Sequence, residues 1–304
     1  MDRAPRGVVQ RSDAIVSHRS SFAALAIALA VVTAALGVAR AKAPGGCGEV
    51  VTIQTHGRTT TRYAFERPTG PAQGDAIAVV LLPGGGGHLD LDAQGCPRAL
   101  KGNSLVRSIP NFRDLGLATA LVDSPSDYTG EDGLAGFRTS SQHAEDLGKV
   151  IADVRTRASG AVWLVGTSRG TLSAANAASR LSGPSAPDGV VLTSAVTSGA
   201  QSRQKPWVSQ TVFDLSLDRI RVPVLIVGHA ADTCARSPAS AMDSVAARID
   251  SVRKQIATVT GGPGAPTGPQ ASLEACVGRA PHGFIEQEAE VAAGIARFIR
   301  GGRY

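Results

Sequence analysis

Short apolar runs separated by amphipathic stretches dominate the chain from residue 76 onward. Ala76–Leu82, Leu117–Val122, Ala161–Val165, Val190–Thr193 and Val222–Val227 are rich in β-branched and aliphatic residues, the composition of parallel strands covered on both faces. His143–Arg157, Thr171–Leu181, Ala239–Ile249 and Ile285–Ile299 read as the helices between and after them. Ile256–Thr260 is a further strand, followed by a Gly/Pro-rich loop from Gly261 to Gly268. Upstream, Val50–Thr55 and Thr60–Phe65 alternate as a β-hairpin does, and Pro68-Thr69-Gly70-Pro71 forms a turn. Strands alternating with helices predict a mostly parallel, doubly wound α/β sheet with right-handed crossovers. No internal repeat and no second folded domain interrupts it.

Composition changes this picture only at the N-terminus. Arg3, Arg6, Arg11 and Arg19 precede an uncharged run from Ser20 to Ala39, which ends in Ala39-Arg40-Ala41-Lys42-Ala43. Residues 1–43 therefore read as a secretory signal peptide, with an uncleaved signal anchor as the competing reading because the apolar run is long. Residues 44–304 form the folded domain, expected in the periplasm or secreted, with the membrane reached only through that anchor. The net charge of +6 divides unevenly: residues 1–43 carry six basic and two acidic side chains, leaving 25 and 23, or +2, for the domain. A nearly neutral domain without a Lys/Arg cluster excludes a nucleic-acid partner. The cysteines are Cys47, Cys96, Cys234 and Cys276, an even number in a chain read as exported, and predict disulfides. Of the three pairings, Cys47–Cys96 and Cys234–Cys276 close the shorter loops. No C-x-x-C or H-x-x-x-H spacing accompanies them, so no metal and no cofactor is expected.

The chemistry centres on Gly166-Thr167-Ser168-Arg169-Gly170. A G-x-S-x-G pattern arises by chance in a chain with 35 glycines, but here an apolar strand precedes it and a small-residue helix follows. That is a strand, a sharp turn and a helix with a serine at the apex, and glycines two residues either side leave room for a strained nucleophile. Ser168 is the candidate nucleophile. A serine hydroxyl needs an imidazole as general base, and the imidazole needs a carboxylate to fix its tautomer. His229 and His282 follow Ser168. His282, in the loop Pro281-His282-Gly283-Phe284 ahead of the last helix, is preferred as base over His229 at a strand tip. Asp232, in the loop after Val222–Val227, is the candidate acid. Asp214 and Asp218 precede that strand and read as solvated or capping residues. Backbone donors for an oxyanion would come from Arg169 and from the loop Pro83-Gly84-Gly85-Gly86-Gly87-His88, with Gly85 preferred and Gly86 next. No Gly-Lys-Ser/Thr follows these glycines, which argues against a phosphate cradle.

These residues resemble the α/β-hydrolase fold family, in which nucleophile, acid and histidine occur in that chain order. The resemblance covers residues 50 to 300 and rests on Gly84–Gly87, Gly166–Gly170, Asp232 and His282. More narrowly, Gly102-Asn103-Ser104-Leu105-Val106-Arg107, Val122-Asp123-Ser124-Pro125-Ser126-Asp127 and Pro281-His282-Gly283-Phe284 are similar to segments of exported bacterial hydrolases. Pro83 stands where lipase-type members carry the histidine of their His-Gly-Gly-Gly loop, a departure that bears on the register of the oxyanion donors. The resemblance implies a serine hydrolase that cleaves a small-molecule ester through an acyl-enzyme. The stretch between Thr193 and Val222 has room for one or two short helices, hence a minimal lid and a small or solvent-accessible ester. A serine peptidase or amidase of the same fold, and a non-catalytic binding module, are the competing functions. Pocket shape formed by loops such as His88–Asn111 would set specificity.

Overall fold

A computed structural model describes residues 46–70, 76–264 and 268–304. The expected signal peptide or anchor, residues 1–43, lies outside the described residues. Among the described residues no helix is long and apolar enough to cross a membrane.

Eight strands make one sheet. The hairpin β1 (Glu49–Gln54) and β2 (Thr60–Glu66) is antiparallel, and β3 (Ile77–Leu82), β4 (Ala118–Val122), β5 (Ala161–Thr167), β6 (Gly189–Thr193), β7 (Val224–His229) and β8 (Lys254–Val259) run parallel in the order β1-β2-β4-β3-β5-β6-β7-β8. Period-2 alternation splits each central strand between two cores. Ala78, Val80 and Leu82 face α2 (Ser141–Ala158), α3 (Gly170–Arg180) and α4 (Met242–Ala247), while Val79 and Leu81 face α1 (Ser104–Asp114) and α5 (Glu288–Ile299). The β3–β5 pairing sets Leu82 opposite Gly166. The glycine loop and the serine turn therefore leave the sheet side by side, at the carboxyl edge where open α/β sheets place their sites.

Three expectations change. The segment His88–Asn111 is not wholly loop, because α1 begins at Ser104. Asn103 caps it, its side chain accepting from the Leu105 N–H at 3.0 Å, and Leu105, Ile109 and Phe112 bury one face at helical spacing. Pro110 inside the helix masks it from propensity, yet burial outweighs the lost backbone bond. The last helix starts at Glu288 instead of Ile285, since Pro281–Gly283 forms a single 3-10 turn and Phe284 takes a left-handed conformation, φ 52°. The stretch between β6 and β7 holds three single 3-10 turns, Pro206–Ser209, Val212–Asp214 and Leu217–Arg219, and no α-helix. In the second of these, Thr211 and Asp214 form a reciprocal cap, the role expected of Asp214.

Both disulfides form as expected, Cys47–Cys96 and Cys234–Cys276, and two bridges fit a chain that folds in an oxidising compartment. The β1–β2 turn is held by charge. His56 Nδ1 lies 2.5 Å from Asp146 Oδ2 and Nε2 3.0 Å from Asp127 Oδ2. Burial disfavours the charged imidazole, but its two carboxylate partners outweigh burial and raise its pKa above the usual 6.5. Burial raises Asp146 as well. With a carboxylate on each ring nitrogen, the imidazole is the group that keeps the proton. A raised folded-state pKa contributes stability that is complete below pH 6.5 and is lost as pH rises through the folded value. The difference in Tm between wild type and His56→Gln is therefore expected to be largest near about pH 6 and to shrink as pH rises, read from thermal unfolding across that range. A difference independent of pH would show that the pair contributes by packing alone.

Candidate active site

The turn from β5 into α3 is as tight as its glycines suggest. Ser168 has φ 51°, a left-handed conformation that costs a non-glycine residue about 1 kcal/mol or more. Surrounding structure holds it there: the Ser168 N–H donates to Thr193 O at 2.9 Å and the Thr171 hydroxyl to Ser168 O at 2.6 Å. A Cβ at Gly166 would come 2.5 Å from the Gly170 carbonyl oxygen, and one at Gly170 would strike the Leu82 carbonyl. A Cβ at Gly84 would lie 2.8 Å from Ser168 Cβ, so the glycine loop approaches the serine as closely as backbone permits.

His282 is buried, 4% exposed, and its two ring nitrogens differ. Nδ1 is 3.0 Å from Asp232 Oδ2 and 3.0 Å from Ser237 Oγ. Ser237 in turn donates to Asp232 Oδ2 at 3.3 Å. With a carboxylate acceptor on that side, the proton belongs on Nδ1. Nε2 has no hydrogen-bond partner among the described residues, and Ser168 and His282 both border a cavity of about 290 Å³, together with Gly84 and Gly85. Asp232 is oriented by its neighbours, since Oδ1 accepts the Cys234 N–H at 2.8 Å. The Cys234 sulfur lies within 4.8 Å of the ligand atoms of Asp232 and His282, but its bridge to Cys276 leaves no thiolate to bind a cation.

Of the two expected oxyanion donors, Gly85 borders this cavity and Arg169 does not. The amides of Gly85 and Arg169 donate no hydrogen bond among the described residues, and both residues border a second, smaller cavity that also touches Ser168. His229 is apart. It is buried at the end of β7, accepts the Ala231 N–H on Nδ1 at 3.0 Å and lies 2.8 Å from Gln287 Oε1 through Nε2. Both its nitrogens are occupied, the structural role expected for it.

Sequence reasoning missed the residues that hold the loops. Arg138 is 1% exposed and is bonded to no carboxylate among the described residues; it donates to Pro83 O at 3.1 Å, Gly85 O at 3.3 Å and Ser173 Oγ at 2.8 Å. Burial, with the nearby charge of Arg169, pushes its pKa down. The same burial and the Arg138 charge depress His143 to about 3, so His143 is neutral, with Nε2 hydrogen-bonded to Ser173 Oγ at 2.8 Å. Arg107 performs a similar task beneath His282: it pairs with Glu288 at 2.7 Å and donates to Gly278 O and Gly283 O, each at 2.9 Å. Asp123 gathers the N–H groups of Leu89, Leu91 and Ser124 at 2.7, 3.0 and 2.8 Å, anchoring the chain that leaves the glycine loop. Arg107 and Asp123 lie in motifs visible in the sequence, whereas Arg138 and Ser237 carry no local signal.

The sheet order, with a strained serine between β5 and α3 and an Asp–His pair across the carboxyl edge, defines the α/β-hydrolase fold. Solved structures agree. Est1E from Butyrivibrio proteoclasticus matches with a TM-score of 0.54 at 14% identity, covering 83% of this chain and 98% of that one. An alpha-beta serine hydrolase homologue from Coxiella burnetii gives 0.53 at 17% identity over 83% and 97%, and a cold-adapted esterase from an Arctic intertidal metagenomic library gives 0.50 at 13% over 81% and 92%. No family model matches the chain, and no curated protein matches it.

Proposed function

We propose that this protein is an exported serine hydrolase that cleaves a small carboxylic ester through an acyl-enzyme. The observation that carries this reading is that His282, buried with Nδ1 held by Asp232 and with Nε2 unpartnered among the described residues, borders the same cavity as the strained Ser168. Ser168 Oγ attacks the ester carbonyl carbon while its proton passes to His282 Nε2. The carbonyl oxygen, now negative, takes hydrogen bonds from the Gly85 and Arg169 amides. The bond to the alcohol oxygen breaks, and that oxygen leaves with the proton from His282. A water then repeats the sequence on the acyl-enzyme, giving the free acid and restoring Ser168. Asp232 holds the imidazole in the required tautomer and offsets its positive charge, and Ser237 adds a second contact on that side.

The same machinery cleaves amides, so the fold does not choose between ester and amide. The shallow connection between β6 and β7 favours the ester reading, because single 3-10 turns make no extended lid or peptide-binding domain. A fluorophosphonate probe should label Ser168 stoichiometrically, located by peptide mapping, and p-nitrophenyl esters should turn over faster than aminoacyl anilides. Absence of labelling in the folded protein would support the binding-module alternative.

Arg138 acts in this reading as a positioning residue for the oxyanion loop. Arg138→Met should lower kcat on the order of 10-fold or more with KM little changed, below the roughly 10²- to 10³-fold cost of losing a direct oxyanion donor. Arg138→Lys should recover part of the loss, because an ammonium still reaches one carbonyl. A change confined to KM or to Tm would remove Arg138 from this role.

A further inference from the structure

The smaller cavity beside Ser168 carries two arginines that form no ion pair among the described residues. It measures about 140 Å³ and is bordered by Ser168 and Gly85, by Val196 and Trp207, and by Arg169 and Arg236. The Arg169 guanidinium carbon lies over the Trp207 ring, 3.9 Å from its centroid, with Nη2 donating to Ala135 O at 3.1 Å. Arg236 donates through Nη1 to Ser198 O at 3.1 Å. Among the described residues neither arginine forms an ion pair with a carboxylate. Asp132, the acidic group that acts on Arg169, is held by Lys205 at 2.6 Å. A guanidinium has five N–H donors, so both retain donors for a ligand. They also repel each other: burial brings Arg169 down to about 10 against the pull of Asp132, and the charge of Arg236 adds a smaller push in the same direction as burial. An anion beside both would relieve that repulsion.

The chemistry of the ester reading decides which half of a substrate enters here. The group that protonates the leaving alcohol must sit beside the leaving oxygen. His282 borders the larger cavity and not this one, so the alcohol leaves through the larger cavity and the acyl chain occupies the smaller. At about 140 Å³ this cavity has room for a short acyl chain. Resting on that ester reading, we propose that this cavity is an anion subsite for the acyl end, in which Arg169 and Arg236 hold a terminal carboxylate; the favoured substrates are monoesters of short dicarboxylic acids.

Two esters of equal length test it on the full-length protein. The p-nitrophenyl monoester of glutaric acid and p-nitrophenyl pentanoate differ only in a terminal carboxylate against a methyl group. The glutarate ester should have a kcat/KM about 10-fold or more above the pentanoate. In Arg236→Gln and in Arg169→Gln that ratio should collapse toward one, as it should in wild type at high salt. A wild-type ratio at or below one, or a ratio that survives both substitutions, overturns the subsite. Binding read without turnover separates this from the ester reading. Ser168→Ala should bind free glutarate, measured by calorimetry, at least about 10-fold more tightly than pentanoate, with the difference abolished by adding Arg236→Gln. Failure to bind glutarate refutes the anion subsite even if neutral esters are cleaved. Glutarate binding with no cleavage of either ester keeps the subsite and refutes the ester reading.

Discussion

Replacing Ser168 with alanine is expected to lower kcat by about 10⁴- to 10⁶-fold while shifting stability by no more than about 0.5 kcal/mol. In the proposed mechanism the machinery acts as a unit, so without Ser168 the proposed oxyanion donors and the binding cavities would supply only the residual catalysis. The small effect on folding follows from the position of Ser168, whose hydroxyl borders a cavity and fills no packed core. His282→Ala should be about as damaging, because an unassisted hydroxyl is a poor nucleophile at neutral pH. His229→Ala should do the opposite. It leaves the Ala231 N–H and Gln287 Oε1 without partners in a buried site, so Tm should fall by the equivalent of about 1 to 3 kcal/mol while kcat changes far less. Steady-state kinetics and thermal unfolding on the three variants give the comparison. Near wild-type esterase activity in Ser168→Ala, or reversed behaviour of the two histidines, would assign the chemistry to other residues.

Loss of the Cys234–Cys276 bridge is expected to affect folding and turnover together. It closes a loop of sequence separation 42, which in the chain-entropy model contributes about 4 kcal/mol. It also ties down Asp232, the proposed acid: the Cys234 N–H donates to Asp232 Oδ1, and the Ser237 N–H, next along, donates to Cys234 O at 3.1 Å. Cys276 borders both cavities at the serine. The paired change Cys234→Ser and Cys276→Ser should therefore lower Tm and reduce kcat even at temperatures where the variant stays folded. The Cys47–Cys96 bridge has a similar separation, 49, but it fastens the chain ahead of β1 to the segment around Gln94. Removing it should lower Tm by a comparable amount and leave kcat nearly unchanged. Equal losses of turnover from the two pairs would show that neither bridge positions Asp232.

Much of this arrangement is written in local patterns. The central strands, the G-x-S-x-G turn and the glycine loop are short-range features, since burial on both faces demands continuous apolar runs and a strained turn demands small neighbours. The preference for His282 over His229 also follows from chain position, because a loop beyond a strand can reach over the sheet edge while a strand tip is packed into it. Both disulfides follow from the economy of short loops.

The tertiary structure decided what depends on residues distant in sequence. The insertion of β3 between β4 and β5 brings Gly84 against Ser168, and no local pattern encodes which strand pairs with which. Helix α1 exists because Leu105, Ile109 and Phe112 find a partner in α5, an energy absent from the segment alone, where Pro110 argues against a helix. Arg138, Ser237, Arg236 and the side chain of Arg169 read in sequence as ordinary polar groups. Burial and long-range hydrogen bonds single them out: a charge enclosed without a carboxylate partner among the described residues, a hydroxyl bonded to both Asp232 and His282, and two cations bordering one cavity. Sequence determined which chemical groups this protein carries and the local shapes that present them; packing determined which groups meet, because the free energy of a buried polar contact exists only once the chain has closed around it.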